Sequence, residues 1–400
     1  DLIARHMIGG SYSDAGDKIA SVNPATGAVV GHVRADGAAQ ATVAIAAARA
    51  AFDTTLWPQS PRDRQMALLR WADALEADLA RLAELLTLTN GKPLGASKGE
   101  LGAAISEIRY YAGLTRHNPG HAMEVAPGEL SVILREPAGV AGIIVPWNAP
   151  AVLLIRSLAP ALAVGCTTVT KPAPQTALFT AACMAPLFED AAIPAGVVNV
   201  VFEVGHDAAQ TLVTSPDVDV ISFTGSNAVG QRSRADAAPT MKKLSREMGG
   251  NSCCIVLDDA DIGVVAPKLA AAATIISGQQ CTAARRVLVH ESRLDEAKSA
   301  LSAALQAVSI GDGMSDGTAM GPLIDIQSRD RVMRDCGTVY DTADEVVLRG
   351  GPLDGPKGSA FMSPALVVHS DPNASFVQDE IFGPLVVLET FRDEADAVAK

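Results

Sequence analysis

Aromatic side chains are scarce, at 4% of the 400 residues. Ring stacking therefore fills little of the interior, and alanine does much of the packing within a hydrophobic content of 48%. Basic charge is short as well. Lys and Arg number 32 against 45 Asp and Glu, a net charge of −13, which argues against a nucleic-acid partner because phosphate binding needs a basic surface. Six cysteines, at 166, 183, 253, 254, 281 and 336, form no CxxC pair and no regular framework. In a chain this long that pattern implies free thiols, a reducing compartment and a cytoplasmic protein. The N-terminus lacks a charged-then-apolar leader. No run of five or six like charges marks a tail, and no internal repeat or low-complexity linker is present. Residues 137–155 carry no charge, yet Pro137, Pro146, Trp147, Asn148 and Pro150 interrupt them. A lipid-buried helix would leave their polar groups unsatisfied, so no membrane span is expected.

The length implies two or three domains. Asp36 is placed to cap a helix through "AAQATVAIAAARAAF". A second helical pattern runs from about Arg62 to Leu88 and stops at "TNGKP", where Asn90-Gly91 supplies C-cap chemistry. "ELSVILREP" reads as a strand. From Gly139 onward, strands and helices alternate: "GVAGIIV", a helix ending at Gly165, "CTTVT", a helix, "VVNVVF", "VDVISFT" and a helix. That alternation implies a parallel sheet covered on both faces. A second αβ block opens with "CCIVL", continues through an Ala-rich helix over residues 268–276, and reaches the strand "RVLVH".

Five short stretches carry chemistry. "SGQQCTAARR" places Cys281 where helix passes to strand; it is either a small buried residue at a bend or an exposed nucleophile. "ISFTGSNAVGQ" spaces Gly225 and Gly230 as GxxxxG, so the usual GxGxxG fingerprint is absent. A glycine before a helix still presents free backbone N–H groups to an anion, although many plain αβ turns share it. "TVTKPAPQT" sets Lys171 at the carboxyl end of a strand, where ligands of parallel sheets bind, or where a lysine is simply solvated. "IIVPWNAP" holds Asn148 between prolines as a stiff amide donor for an oxyanion, or as a turn residue bonding its own backbone. "LSREMGGNS" puts Glu247 before Gly249-Gly250, as a general base or as a surface charge.

Taken together these residues resemble the aldehyde dehydrogenase superfamily. Asn148, Lys171, Gly225-Ser226, Glu247 and Cys281 stand in that family's order, with Glu247 and Cys281 34 positions apart. "NPATG" at 23–27, "TNGKP" near residue 90 and "DEIFGP" at 379–384 extend the likeness over essentially the whole chain. The resemblance implies an α/β fold with a Rossmann-like cofactor domain (1–118 and 138–250), a protruding β-hairpin for oligomerisation (119–137) and an α/β catalytic domain (251–400). It also implies NAD or NADP as cofactor, a small-molecule aldehyde as substrate, no metal, and a homodimer or homotetramer. By the same resemblance Cys281 attacks the aldehyde, Asn148 and the Cys281 backbone N–H hold the oxyanion, and Glu247 activates the hydrolytic water. Lys171 holds the adenosine ribose and Ser226, beside Gly225, the pyrophosphate. Trp147 lines the cofactor site, Glu380 bonds the nicotinamide ribose, and Phe382 packs by its ring.

Two departures stand out. Pro174 occupies the position where NAD-preferring members usually carry a glutamate, which leaves NAD against NADP open. The chain also stops at "ADAVAK", inside an expected helix, where the family normally continues. Glu247 disfavours an acylating, coenzyme A-dependent relative. A cysteine hydrolase would need a histidine dyad that none of the seven histidines forms, and a non-catalytic protein retaining the fold is the remaining alternative. Arg156, eight residues after Asn148 among apolar neighbours, either faces the aldehyde tunnel to clamp an anionic tail, as in succinate semialdehyde, or turns outward to a structural carboxylate.

Overall fold

The alternation beyond Gly139 builds the centre of a seven-stranded sheet. Its order is Lys243–Met248, Val220–Gly225, Val140–Val145, Thr167–Pro172, Val198–Val200, His6–Ile8, Ser11–Ser13. Val220–Gly225, Val140–Val145, Thr167–Pro172 and Val198–Val200 run parallel. The two central strands are buried at every position, which accounts for their continuous apolar or Thr-rich sequence. The two N-terminal strands add antiparallel at one end. A computed structural model describes residues 2–400 and divides into two compact units. This sheet belongs to the first, which comprises residues up to Ser21, Val30–Leu85 and Lys98–Glu247.

The helices of this unit follow local chemistry with two corrections. Helix Pro150–Val164 begins with proline at its first turn and ends at Gly165, whose φ of +103° a side-chain-bearing residue would rarely adopt. The buried Arg64 guanidinium donates to Ala163 O at that helix end and to Trp57 O and Pro58 O. Asp36, however, does not cap the first helix. Gly37 is the N-cap of Ala38–Thr54, and the Asp36 carboxylate instead accepts from Gly37 N at 2.7 Å. The pattern over 62–88 is not one helix but two, Pro61–Ala77 and Leu79–Asn90, broken at Asp78, whose ψ of 14° lies outside the helical range. The strands His121–Ala126 and Glu129–Ile133 pair antiparallel across a turn with Gly128 at φ +79°. Their Met123, Val125, Leu130, Val132 and Ile133 are each more than half exposed.

The second unit comprises Val22–Val29, Leu86–Ser97 and Met248–Lys400. Its five-stranded sheet runs Cys253–Val256, Arg286–His290, Leu385–Phe391, Ala365–Val368, Glu345–Leu348. The first four strands are parallel and the last antiparallel. One core lies under helices Ile262–Thr274 and Leu294–Gln306, the other under Ile326–Thr342. The Ala-rich helix stops at Thr274, earlier than its composition suggests, because Ile276, Ser277 and Gly278 all take left-handed backbone angles. Among the described residues no helix is long and apolar enough to cross a membrane.

Trp71, 1% exposed, donates its indole N–H to Cys183 O at 2.9 Å and so ties helix Pro61–Ala77 to Ala177–Phe188. Trp71→Phe removes that indole donor and puts a smaller ring in a fully buried site. Urea unfolding should show a loss of about 1–3 kcal/mol; an unchanged midpoint would mean the bond contributes nothing.

Candidate active site

In the first unit the expected cofactor residues gather at the carboxyl ends of adjacent parallel strands, the edge where open α/β sheets bind ligands. Trp147 and Asn148 follow strand Val140–Val145, and Asn148 is buried. Lys171 is the penultimate residue of Thr167–Pro172 and is only 7% exposed. Its Nζ stands 3.6 Å from Glu203 Oε1. Burial pushes the Lys171 ammonium below the ordinary lysine value, and Glu203 opposes that shift.

Gly225 ends strand Val220–Gly225, and a Cβ there would lie 2.7 Å from the Phe223 ring. Ser226 is the N-cap of helix Asn227–Ala237 and accepts from Val229 N at 3.5 Å. Ser226 to Val229 are exposed, so the Asn227 and Ala228 N–H groups at the start of this helix are open to an anion. A dinucleotide fits these residues: a buried lysine at one strand end and an open helix N-terminus at another. Glu247 is exposed on Lys243–Met248, the strand next to Val220–Gly225. Arg156, on helix Pro150–Val164, donates from Nε to Glu107 Oε1 at 2.9 Å and has a side chain 58% exposed.

In the second unit Cys281 occupies a turn and is exposed. Burial separates it from most other thiols. Cys166 is pushed up, Cys183 to about 12 and Cys336 to about 11, all chiefly by desolvation. Such thiols rarely ionise near neutrality and make poor nucleophiles. The turn is shaped by left-handed Ile276 (φ +48°) and Ser277 (φ +58°), a costly conformation for a β-branched residue. It persists because the Ser277 hydroxyl bonds Gly321 O at 2.7 Å and Pro322 O at 3.0 Å. Gln279 Nε2 donates to Ile276 O, and its Oε1 accepts from Ile324 N. Gly278 packs so closely on Gly383 that a Cβ would lie 2.3 Å from the Gly383 carbonyl carbon.

Arg285 organises the turn around Cys281, and sequence reasoning missed it. Its guanidinium, 4% exposed, donates to Gly278 O, Gln280 O and Ala283 O around Cys281, and to Ile381 O. It pairs with Glu380 Oε1 at 3.0 Å and lies 5.5 Å from the Phe382 ring centroid. One cation therefore joins the expected nucleophile turn to the two expected nicotinamide residues. Burial raises the Glu380 carboxyl above the usual range, and Arg285 counteracts it. Gly249 leaves room for that carboxylate, since a Cβ would sit 1.9 Å from Glu380 Oε2. The available signal was an arginine close after Cys281 among small residues, but the Arg285-Arg286 doublet does not reveal which arginine faces the turn. Arg286 instead forms a buried two-bond pair with Glu389.

The Aldehyde dehydrogenase family model matches residues 12–400. The mitochondrial succinate-semialdehyde dehydrogenase of Arabidopsis thaliana is 39% identical, over 99% of this chain and 75% of that protein. The NADP(+) succinate-semialdehyde dehydrogenase of Escherichia coli (strain K12) is 35% identical, over 98% of this chain and 82% of its own length. A betaine aldehyde dehydrogenase from Staphylococcus aureus, solved with NAD+, superposes with a TM-score of 0.94 at 30% identity, covering 100% of this chain and 80% of that one. The chain belongs to the aldehyde dehydrogenase family. It is an NAD(P)-dependent enzyme that oxidises an aldehyde to a carboxylic acid.

Arg285→Met removes the common donor of four carbonyls and strands Glu380. Stability should fall by about 3–5 kcal/mol in urea unfolding, the cost of breaking a buried pair from one side. A loss below about 1 kcal/mol would show that the turn holds itself.

Proposed function

We propose that Cys281 is the nucleophile of this oxidation, the observation that carries the reading being its exposure on a turn braced from beneath by Arg285. The Cys281 thiolate adds to the aldehyde carbon, and the carbonyl π electrons move to oxygen as an alkoxide. The Asn148 amide and the Cys281 backbone N–H donate to that oxygen. A bound nicotinamide supplies the hydride acceptor, and loss of the hydride leaves the acyl group on sulfur as a thioester. Glu247 takes a proton from water as its oxygen attacks the thioester carbon, and the C–S bond breaks to release acid and thiolate. Lys171 and Ser226 hold the adenosine ribose and the pyrophosphate, and Trp147 lines the cofactor site. Glu380 bonds the nicotinamide ribose, with Phe382 beside the ring.

The substrate we favour is a semialdehyde with a carboxylate at its far end. Arg156 meets Glu107 through Nε and remains largely exposed, which suits its remaining N–H groups to a forked pair of bonds with a carboxylate. Two relatives named above, both succinate-semialdehyde dehydrogenases, support the same class. We read the exposed apolar hairpin at 121–133 as the contact surface of a homodimer or homotetramer. The six free thiols suit a cytoplasmic protein.

Cys281→Ala should abolish aldehyde oxidation without changing cofactor binding, whereas Glu247→Gln should keep a first-turnover burst of reduced cofactor and slow the steady state by about 10²–10⁴-fold. Stopped-flow absorbance separates the two phases; full turnover in the first variant, or an unslowed steady state in the second, removes that residue from its role.

Arg156→Leu should raise the KM for succinate semialdehyde roughly 10- to 150-fold and leave an uncharged aldehyde of similar length unaffected. Equal changes on both substrates would make Arg156 structural.

A further inference from the structure

The absence of a carboxylate at Pro174 left the choice between NAD and NADP open, and the fold supplies one from elsewhere. Glu203 lies just beyond strand Val198–Val200, which pairs in parallel with Thr167–Pro172, so Glu203 and Lys171 project from neighbouring carboxyl ends of one sheet. Glu203 is 3% exposed and its Oε1 is 3.6 Å from Lys171 Nζ. The same carboxylate accepts from Ala208 N at 2.7 Å and Ala209 N at 3.1 Å, at the start of helix Asp207–Thr214. A lysine beside a helix N-terminus is ordinarily an attractive place for phosphate. Here the chain's own anion fills it.

The surroundings add negative charge rather than offset it. Asp36 N donates to Phe202 O at 3.0 Å, placing Asp36 against the residue before Glu203. Asp207 opens the adjoining helix and packs against Gly37. Two further carboxylates thus flank the segment that carries Glu203, while Glu203 itself pairs with the Lys171 ammonium.

We infer that Glu203 is a specificity-determining residue that makes this enzyme prefer NAD over NADP, a proposal that rests on Lys171 holding the adenosine ribose. A ribose 2′-hydroxyl can donate to a carboxylate while accepting from Lys171. A 2′-phosphate, carrying nearly two negative charges, would meet Glu203 with neither a free cation nor an open helix terminus to balance it.

The test is equilibrium binding to the full chain, followed by quenching of intrinsic fluorescence, with NAD, NADP, 5′-AMP and 2′,5′-ADP as probes. The unaltered protein should bind NAD at least about tenfold tighter than NADP, and 5′-AMP tighter than 2′,5′-ADP, the size of one charge-assisted contact. Glu203→Gln should shrink both ratios by about tenfold or more, while Glu203→Asp, which keeps the charge, should preserve the preference for NAD. Lys171→Met should weaken both dinucleotides. If Lys171→Met leaves both constants unchanged, the ribose is not at Lys171 and the cofactor placement under the proposed function fails. If Lys171→Met weakens them but Glu203→Gln leaves the ratios fixed, the role of Glu203 alone is overturned. Should Glu203→Gln not fold, the unaltered protein decides: equal or tighter binding of 2′,5′-ADP than of 5′-AMP refutes the proposal.

Discussion

A single guanidinium governs the second unit. Arg285 is surrounded by backbone carbonyls from two loops that are far apart in sequence, the turn around Cys281 and the stretch that carries Glu380 and Phe382. A buried cation is costly unless its donors are used and a counter-charge is near. Both conditions hold only when the two loops close on it together. The same requirement sets the neighbouring backbone: the left-handed Ile276–Ser277 pair and the tight approach of Gly278 to Gly383 belong to a turn that must deliver its carbonyls inward. Cys281 is left outward on that support, the placement that its proposed role as nucleophile requires.

The first unit works by the opposite arrangement. Its candidate functional groups sit at or just beyond the carboxyl ends of parallel strands. Asn148, Lys171 and Ser226 come from three different strand ends and share an edge because the strands share a direction. Electrostatics then differentiates the positions. The helix following Gly225-Ser226 keeps its N-terminus open, whereas the helix beginning at Asp207 is closed by Glu203. One edge of one sheet therefore offers an anion site at one strand and refuses it at another.

Much of this was legible in the sequence. Strand Val140–Val145 was visible because full burial on both faces demands a continuous apolar run, and Gly165 marked a helix end because only glycine takes its backbone angle cheaply. Lys171, Asn148 and Cys281 stood out as polar or reactive residues at element junctions. Other features carried no local mark. Asp36 looked like an N-cap, but the chain turns one residue later and Gly37 takes the position. Residues 62–88 kept a helical spacing of leucines across a break at Asp78 that the spacing does not register. Ile276 read as helix because isoleucine is apolar and the alanine run continues to it, while its left-handed angle depends on bonds from Ser277 to residues more than forty positions away.

What the sequence by itself determined is the inventory and its order: which strands carry apolar runs, where the glycines and prolines end them, and which cysteine, amide, lysine and carboxylate stand at the junctions. Periodicity and turn chemistry are local, so one chain suffices to read them. What only the tertiary structure decided is pairing. Lys171 and Glu203 are 32 residues apart, and Arg285 and Glu380 are 95 apart. Nothing in either segment names the other. These charges find each other because parallel strands bring their ends to a common edge and because a buried charge must acquire a partner from whatever the fold places within reach. Of the two arginines after Cys281, the fold alone assigns Arg285 to the turn and Arg286 to Glu389.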